Sequence, residues 1–363
     1  MYFTQAMNLA RAVWVSSGSP KGPGSDCRSA LSPNGDRALL QSEPGTYLRR
    51  YSSAEKDQWN EVIASSPATH FHFHRSYMDY HSDRFLDHSL LFFENGKLLG
   101  VLPANEERDT AKVWSHQGLT YGGCVWKSDV TQSKIIAFWE LMATYYRQQG
   151  FQKLIYKALP FIYHQRVAQD DLYAIFHFGG QILKIEPNTV IDFLTPVKPS
   201  HSKKYGANVG RKAGLQIEFS NQLDRFFEIL TQRLEEKYEV RPTHSLSELQ
   251  LLHSLFPENI KLLGSFYDGE MIAAALLFDS GRVLHTQYLA TTPEARKLRA
   301  LDQLIIDGIF PQMKDRRYLS FGISTEDGGR YLNSGLIQQK EEFGGHTLAH
   351  LTFEMDLAKW SIR

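Results

Sequence analysis

Ser89-Leu-Leu-Phe-Phe-Glu94, then Asn95-Gly96, then Leu98-Leu-Gly-Val-Leu-Pro103 is the stretch on which the fold turns. Asn-Gly between two apolar runs is a strong hairpin signal, because both central residues of the favoured two-residue turn need positive φ. The device returns in the second half, where Leu262-Leu-Gly-Ser-Phe-Tyr267 meets Asp268-Gly269 and resumes as Met271-Ile-Ala-Ala-Ala-Leu-Leu-Phe278. A short apolar strand ending on a histidine follows each time. Val113-Trp114-Ser115-His116-Gln117 leads into the Gly-rich Thr120-Tyr-Gly-Gly-Cys124, and Val283-Leu284-His285-Thr286-Gln287-Tyr288 is its counterpart. In Val130–Gln149 the residues Ile135, Ile136, Phe138, Trp139, Met142 and Tyr145 recur at helical spacing; Gly150 ends that helix and Lys153–Lys157 reads as a strand. Ala300–Met313 and Tyr318–Gly322 repeat the pair, with Thr292 a suitable N-cap and Pro293 suited to the first helical position. Strand–turn–strand–strand–helix–strand, written twice, predicts an α/β (α+β) protein of two tandem domains, with a site where the halves face one another.

The 363 residues are enough for two full cores. Boundaries are expected at 1–45 for a disordered extension rich in Ser, Gly, Pro and Asp, at 46–197 for the first domain and at 198–363 for the second. A helix is expected over Ala54–Ser65 with Ser53 as its cap, and another over Asp224–Tyr238. Ser245 and Glu248 form a capping-box signature for the helix after Pro242-Thr-His-Ser245. Lysine plus arginine number 40, as do aspartate plus glutamate, so no global field favours DNA. Cys27 and Cys124 form no disulfide framework and no metal-ligand spacing, and no apolar run approaches the roughly 20 residues of a membrane span. A cytoplasmic protein is expected.

Of the residues that could carry chemistry, His70-Phe-His-Phe-His74 first suggests a metal. On a strand, alternating imidazoles spread over roughly 13 Å and cannot share one ion, so no metal is expected. His116 and His285, in matching places, are proton-handling or acceptor-binding candidates, since a neutral imidazole titrates near physiological pH. The richest segment is Phe321–Leu336 with Gln339–Gly345 after it: Glu326 can act as a base, Asn333 can hold a substrate, and Lys340 offers a point charge to a phosphate or oxyanion. Lys157 and Gln287, at strand ends in the two halves, complete the predicted substrate contacts.

These motifs in this order resemble the GNAT-superfamily N-acetyltransferases of the tandem, FemAB-like type. The resemblance rests on Tyr80-His-Ser-Asp-Arg-Phe85, Ser115–Gly123, Pro242–Ser245, Leu284–Tyr288, Ala300-Leu-Asp302, Phe321–Glu326 and Lys340-Glu-Glu-Phe-Gly344, and covers roughly residues 46–357. It implies two GNAT folds, each a mixed sheet flanked by helices, and transfer of an acyl group, often from acetyl-CoA, to an amine. His285 or Glu326 would be the base and Tyr288 or Tyr331 the final proton donor. A phosphate-binding helix start would lie at Glu294–Arg299, with Arg296, Arg299 and Ala300 at the coenzyme A pyrophosphate. There the chain departs from the pattern Gln/Arg-x-x-Gly-x-Gly/Ala, since Arg299 stands where a glycine is usual. In FemAB-type enzymes the lysine of Lys-x-x-Phe-Gly is associated with acceptor phosphate, which assigns Lys340 to a nucleotide- or lipid-linked acceptor. The expected function is acetyl-CoA-dependent N-acetylation of an amino sugar in bacterial surface polysaccharide synthesis. The alternatives are aminoacyl-tRNA-dependent transfer in peptidoglycan synthesis and a non-catalytic binding module.

Overall fold

The computed structural model describes residues 40–360 apart from 44 and 239. Of the expected disordered extension, residues 1–39 and 44 lie outside the described residues, whereas Leu40–Glu43 is a strand. In the first half the strands are β1 (Leu40–Glu43), β2 (Thr46–Arg50), β3 (Leu90–Glu94), β4 (Lys97–Leu102), β5 (Asn105–Glu106), β6 (Lys112–Trp114), β7 (Val125–Trp126), β8 (Lys153–Lys157) and β9 (Gln181–Asp192). Its helices are α1 (Lys56–Ser65), α2 (Arg75–Met78), α3 (Gln132–Gln148) and α4 (Asp170–His177). The second half has strands β10 (Gln216–Ser220), β11 (Ile260–Tyr267), β12 (Glu270–Asp279), β13 (Val283–Thr291), β14 (Tyr318–Ile323), β15 (Thr325–Glu326), β16 (Tyr331–Leu332) and β17 (His346–Asp356). Its helices are α5 (His201–Lys212), α6 (Leu223–Tyr238), α7 (Leu246–Leu255), α8 (Pro293–Lys297), α9 (Ala300–Gln303) and α10 (Ser334–Glu341).

Both hairpins form as their turn residues require. Asn95 and Gly96 take φ of 49° and 78°, Asp268 and Gly269 of 49° and 82°, and the flanking strands pair antiparallel. Each half then sets one strand parallel to the strand after the long helix: β6 against β8, and β13 against β14. Ser245 and Glu248 cap α7 reciprocally, Ser245 N donating to Glu248 Oε2 at 2.7 Å and Glu248 N to Ser245 Oγ at 3.2 Å. The cap before α1 is one residue earlier than the sequence implies: Ser52 pairs with Glu55, and a short turn precedes Lys56. The helix expected over Ala300–Met313 widens at Leu304–Ile309 and tightens from Phe310, next to Pro311, which has no amide proton to give the i−4 carbonyl.

Two further expectations change. The stretch His70–His74 is not a strand; Phe71–Phe73 makes one tight turn, with His70 Nδ1 accepting from His72 N at 3.1 Å and His74 Nδ1 from Ser76 N at 3.2 Å. These imidazoles cap backbone amides, and among the described residues no cluster could hold a metal. The boundary drawn at 197/198 falls in the link between β9 and α5, yet the halves are not separate sheets. Ten strands run in the order β10-β11-β12-β13-β14-β9-β17-β8-β6-β5, while β1-β2-β3-β4-β7 form a second sheet. The last strand of the first half lies beside β14 of the second, and β17, the last of the second, lies beside β8 of the first. Each half thus lends its final strand to the other, and β9 pairs with β17 at the seam. The core is shared as well: Trp59, Phe73 and Tyr163 belong to one buried apolar cluster with Phe226, Phe278 and Tyr288. No helix of the described residues is long and apolar enough to cross a membrane.

Candidate active site at the seam

Alternation along the exchanged strands builds the floor of a cleft of about 830 Å³. Residues two apart share a face of a strand, so Lys184, Glu186 and Asn188 of β9 line up beside Thr352, His350 and Leu348 of β17. Lys157, the last residue of β8, is the partner of Thr352 on the other side. Lys157, Lys184, Glu186, His350 and Thr352 all line the cleft, and the segment from Glu106 to Lys112 lies on its rim.

The wall above Lys157 is the loop after β6. His116 takes φ of 75° there, which reverses the chain, and the loop is pinned by Asn105, whose Oδ1 accepts from Gln117 N at 2.6 Å and whose Nδ2 donates to Gln117 Oε1 at 2.7 Å. Gly122 sits so close that an added Cβ would lie 1.7 Å from Ser115 O, so this position admits only glycine. His116 stacks on His81 with centroids 5.1 Å apart, and burial holds it well below the usual imidazole range. It is therefore neutral, and is the residue before the cleft-lining Gln117.

A buried polar chain leads inward from the cleft. Asn188 Nδ2 donates to His350 Nε2 at 3.0 Å; Asn188 and Ser320 meet at 3.1 Å; Ser320 Oγ lies 3.0 Å from His285 Nδ1. Tyr163 hydrogen-bonds both Ser320 and Tyr121, and Tyr121 lines the cleft. Burial pushes His285 down to about 4 and His350 to about 3, so both are neutral hydrogen-bonding groups at physiological pH.

The remaining predicted site residues lie elsewhere. His285 is inside β13 rather than at its end, one hydrogen bond behind Ser320, and so does not match His116 in conformation. Tyr288 is buried, its hydroxyl 2.7 Å from His244 Nδ1, and burial pushes it up to about 12. Gln287 is half-buried on the same strand. Glu326 Oε1 accepts from Asn333 Nδ2 at 2.7 Å, and Asn333 also caps α10, so each holds the other in place. Lys340 is buried and donates to Gly322 O at 2.8 Å, Ile323 O at 2.7 Å and Ser324 Oγ at 3.0 Å, all three protons of an ammonium.

The expected coenzyme cradle is occupied by the chain itself. Arg299 adopts the left-handed φ of 56° usual for glycine, and its Nε donates to Asp302 Oδ2 at 2.6 Å. Helix α5 covers the start of α9: Lys203 Nζ is 3.3 Å from Asp302 Oδ1, and a Cβ on Gly206 would lie 2.1 Å from Asp302 Oδ2. Ala300 is buried, and Arg296 Nη1 is bound to Thr291 O at 3.3 Å. These residues do not form an open phosphate cradle.

The cleft therefore gathers Lys157, with His116 just behind it, and leaves the cluster after β14 outside. Its other members, Tyr121, Lys184, Glu186 and His350, were not singled out in the sequence. The alternation Leu348, His350, Thr352 was a legible signal for one strand face.

No family model matches this chain, and no curated protein matches it. Solved structures do. FemX superposes with a TM-score of 0.62 at 10% identity, covering 85% of this chain and 97% of its own. The DUF2156 domain of an Agrobacterium fabrum protein gives 0.57 at 12% identity over 84% of this chain and 93% of its own. L-PGS from Bacillus licheniformis gives 0.55 at 12% identity over 83% and 91%. This chain, with its doubled hairpins and paired parallel strands, therefore shares its fold with FemX along nearly all of that protein's length.

Proposed function

We propose that this protein is an N-acyltransferase whose acceptor amine binds in the cleft at the seam. The observation that carries the reading is the cleft itself: its floor takes one strand from each half, and it brings Lys157, Lys184, Glu186 and His350 together in a fold shared with FemX. The acceptor is a polar amine, in our reading an amino sugar carried on a nucleotide or lipid phosphate in surface polysaccharide synthesis, and the reaction takes place in the cytoplasm. Lys184 suits its anionic groups, Glu186 its ammonium or hydroxyls, and Lys157 lines the same cleft.

Acetyl-CoA is the first donor to test. The Arg299–Asp302 pair and α5 over the start of α9 favour a second reading, in which an aminoacyl ester on tRNA replaces a thioester that needs a pyrophosphate cradle. Purified protein is to be offered acetyl-CoA with a panel of nucleotide-linked amino sugars, and free thiol measured. Acceptor-dependent thiol release is the expected result. Turnover confined to aminoacyl-tRNA would replace the donor, and no turnover with either donor would overturn the acyltransferase reading.

A further inference from the structure

We infer that Lys157 is the base that deprotonates the acceptor amine, a role that rests on the acyltransferase reading above. Its Nζ donates to Leu119 O and, at 3.3 Å, to Gln117 O. Two carbonyls match the two protons of a neutral amine, and the third tetrahedral position of the nitrogen, its lone pair, has no partner among the described residues. The side chain is half-buried and lines the cleft, so that position is open to a bound substrate.

The surroundings favour the neutral amine. Burial pushes Lys157 down to about 7, the Lys184 ammonium adds to that, and the Glu186 carboxylate opposes it. Lys184 and Glu186 are themselves paired at 2.7 Å, which blunts both. The other titratable groups about the cleft are His350 and His116, both neutral, Tyr121, and the charged Asp83, Arg84, Glu106, Glu107, Arg108, Asp109 and Lys112. A base titrating near the working pH is the efficient choice for proton transfer. The alternatives are less suited: His285 has no place on the cleft wall, and Glu326 is engaged by Asn333.

The step balances simply. Lys157 Nζ takes one proton from the acceptor ammonium; the amine attacks the acyl carbon; the tetrahedral intermediate collapses, the C–S or C–O bond breaks, and the leaving group takes the second proton of the attacking nitrogen. The proton on Lys157 then passes to water through the open cleft.

Two measurements test this. The first needs no substrate: trace labelling of the folded wild-type protein with acetic anhydride across pH, read by peptide mass spectrometry. Lys157 is expected to label with a midpoint near pH 7 and Lys340, which has no opening, not to label. A Lys157 midpoint near the ordinary lysine value of about 10.4 would overturn the assignment. The second uses the activity identified above. Lys157→Arg keeps a donor for the loop carbonyls but cannot deprotonate; it is expected to lower kcat by about 100-fold or more and remove the acid limb of the pH–rate profile near 7. Retention of that limb in Lys157→Arg, with its thermal midpoint near wild type, would show a structural lysine. If no acyl transfer is found with any donor, the labelling result still decides whether a neutral lysine faces the cleft.

Discussion

At the C-terminal end of the parallel strand in each half stands a lysine amine, half-buried in the first and buried in the second, and the two are held differently. In the first half Lys157 belongs to β8 itself and reaches two carbonyls of the loop above it. In the second half Lys340 comes from α10 and reaches two carbonyls at the end of β14 and the hydroxyl of Ser324. Burial pushes both down to about 7, but three acceptors at Lys340 oppose that by favouring the ammonium. One lysine has a free position in a cleft and the other has none. The two halves therefore place a lysine at corresponding strand ends in different settings: one lines a cleft, and the other closes the end of a strand.

The strongest way to break this contrast is Lys340→Met. It strands two buried carbonyls and a hydroxyl, and an unfolding stability loss of about 3–5 kcal/mol is expected in urea titrations, since removing one partner of a buried charged group is costly. Lys157→Met, whose partners can be reached by cleft water, is expected to cost about 1 kcal/mol by the same assay. Equal losses would erase the distinction. Asn188→Ala comes next: it removes the amide joining His350 to Ser320, and about 2 kcal/mol is expected, with the His350 imidazole freed to protonate at higher pH in an NMR titration. An unmoved His350 titration would mean that the chain from cleft to His285 is not a working connection.

The smallest effect concerns pH. On the other side of β8, Tyr156 donates to Asp171 Oδ2 at 2.9 Å, and burial pushes that carboxyl up to about 6. The folded state then holds a proton that the unfolded chain has already lost, so stability falls as pH rises from about 4 to about 6 and stays reduced above. Asp171→Asn is expected to remove this dependence and to gain about 1 kcal/mol at pH 8, a value lowered from the full linkage because the residue is partly accessible. Parallel stability–pH curves for the two proteins would show that Asp171 is not held protonated.

What the sequence could show was whatever is encoded locally. Asn95-Gly96 and Asp268-Gly269 make their turns because few other residue pairs accept those φ values, and Ser245 with Glu248 makes its cap because both partners lie within one turn. The exchange of β9 and β17 was not legible, because strand partners as far apart as Asp192 and Tyr318, or Val190 and His346, leave no mark in local periodicity. The centre of gravity of the site moved with it. A dense run of polar residues after β14 drew notice to Glu326, Asn333 and Lys340, but these satisfy one another or the backbone. The polar groups left facing a cavity were spaced singly on β8, β9 and β17, and only pairing across the seam assembles them. Arg299, read as a departure from the GNAT pattern, binds Asp302 through its side chain at the place where a ligand phosphate was expected.

The strand exchange also dictates an order of assembly on the ribosome. Until residues 346–356 emerge, β8 and β9 have no β17 between them, and both present unpaired edges. The first half therefore cannot finish folding while the second is still being synthesised, unlike domains that fold as independent units in turn. The cleft floor is among the last parts to close. A chain truncated before His346 would carry the predicted base, Lys157, on a strand with an open edge, prone to aggregation and without a site.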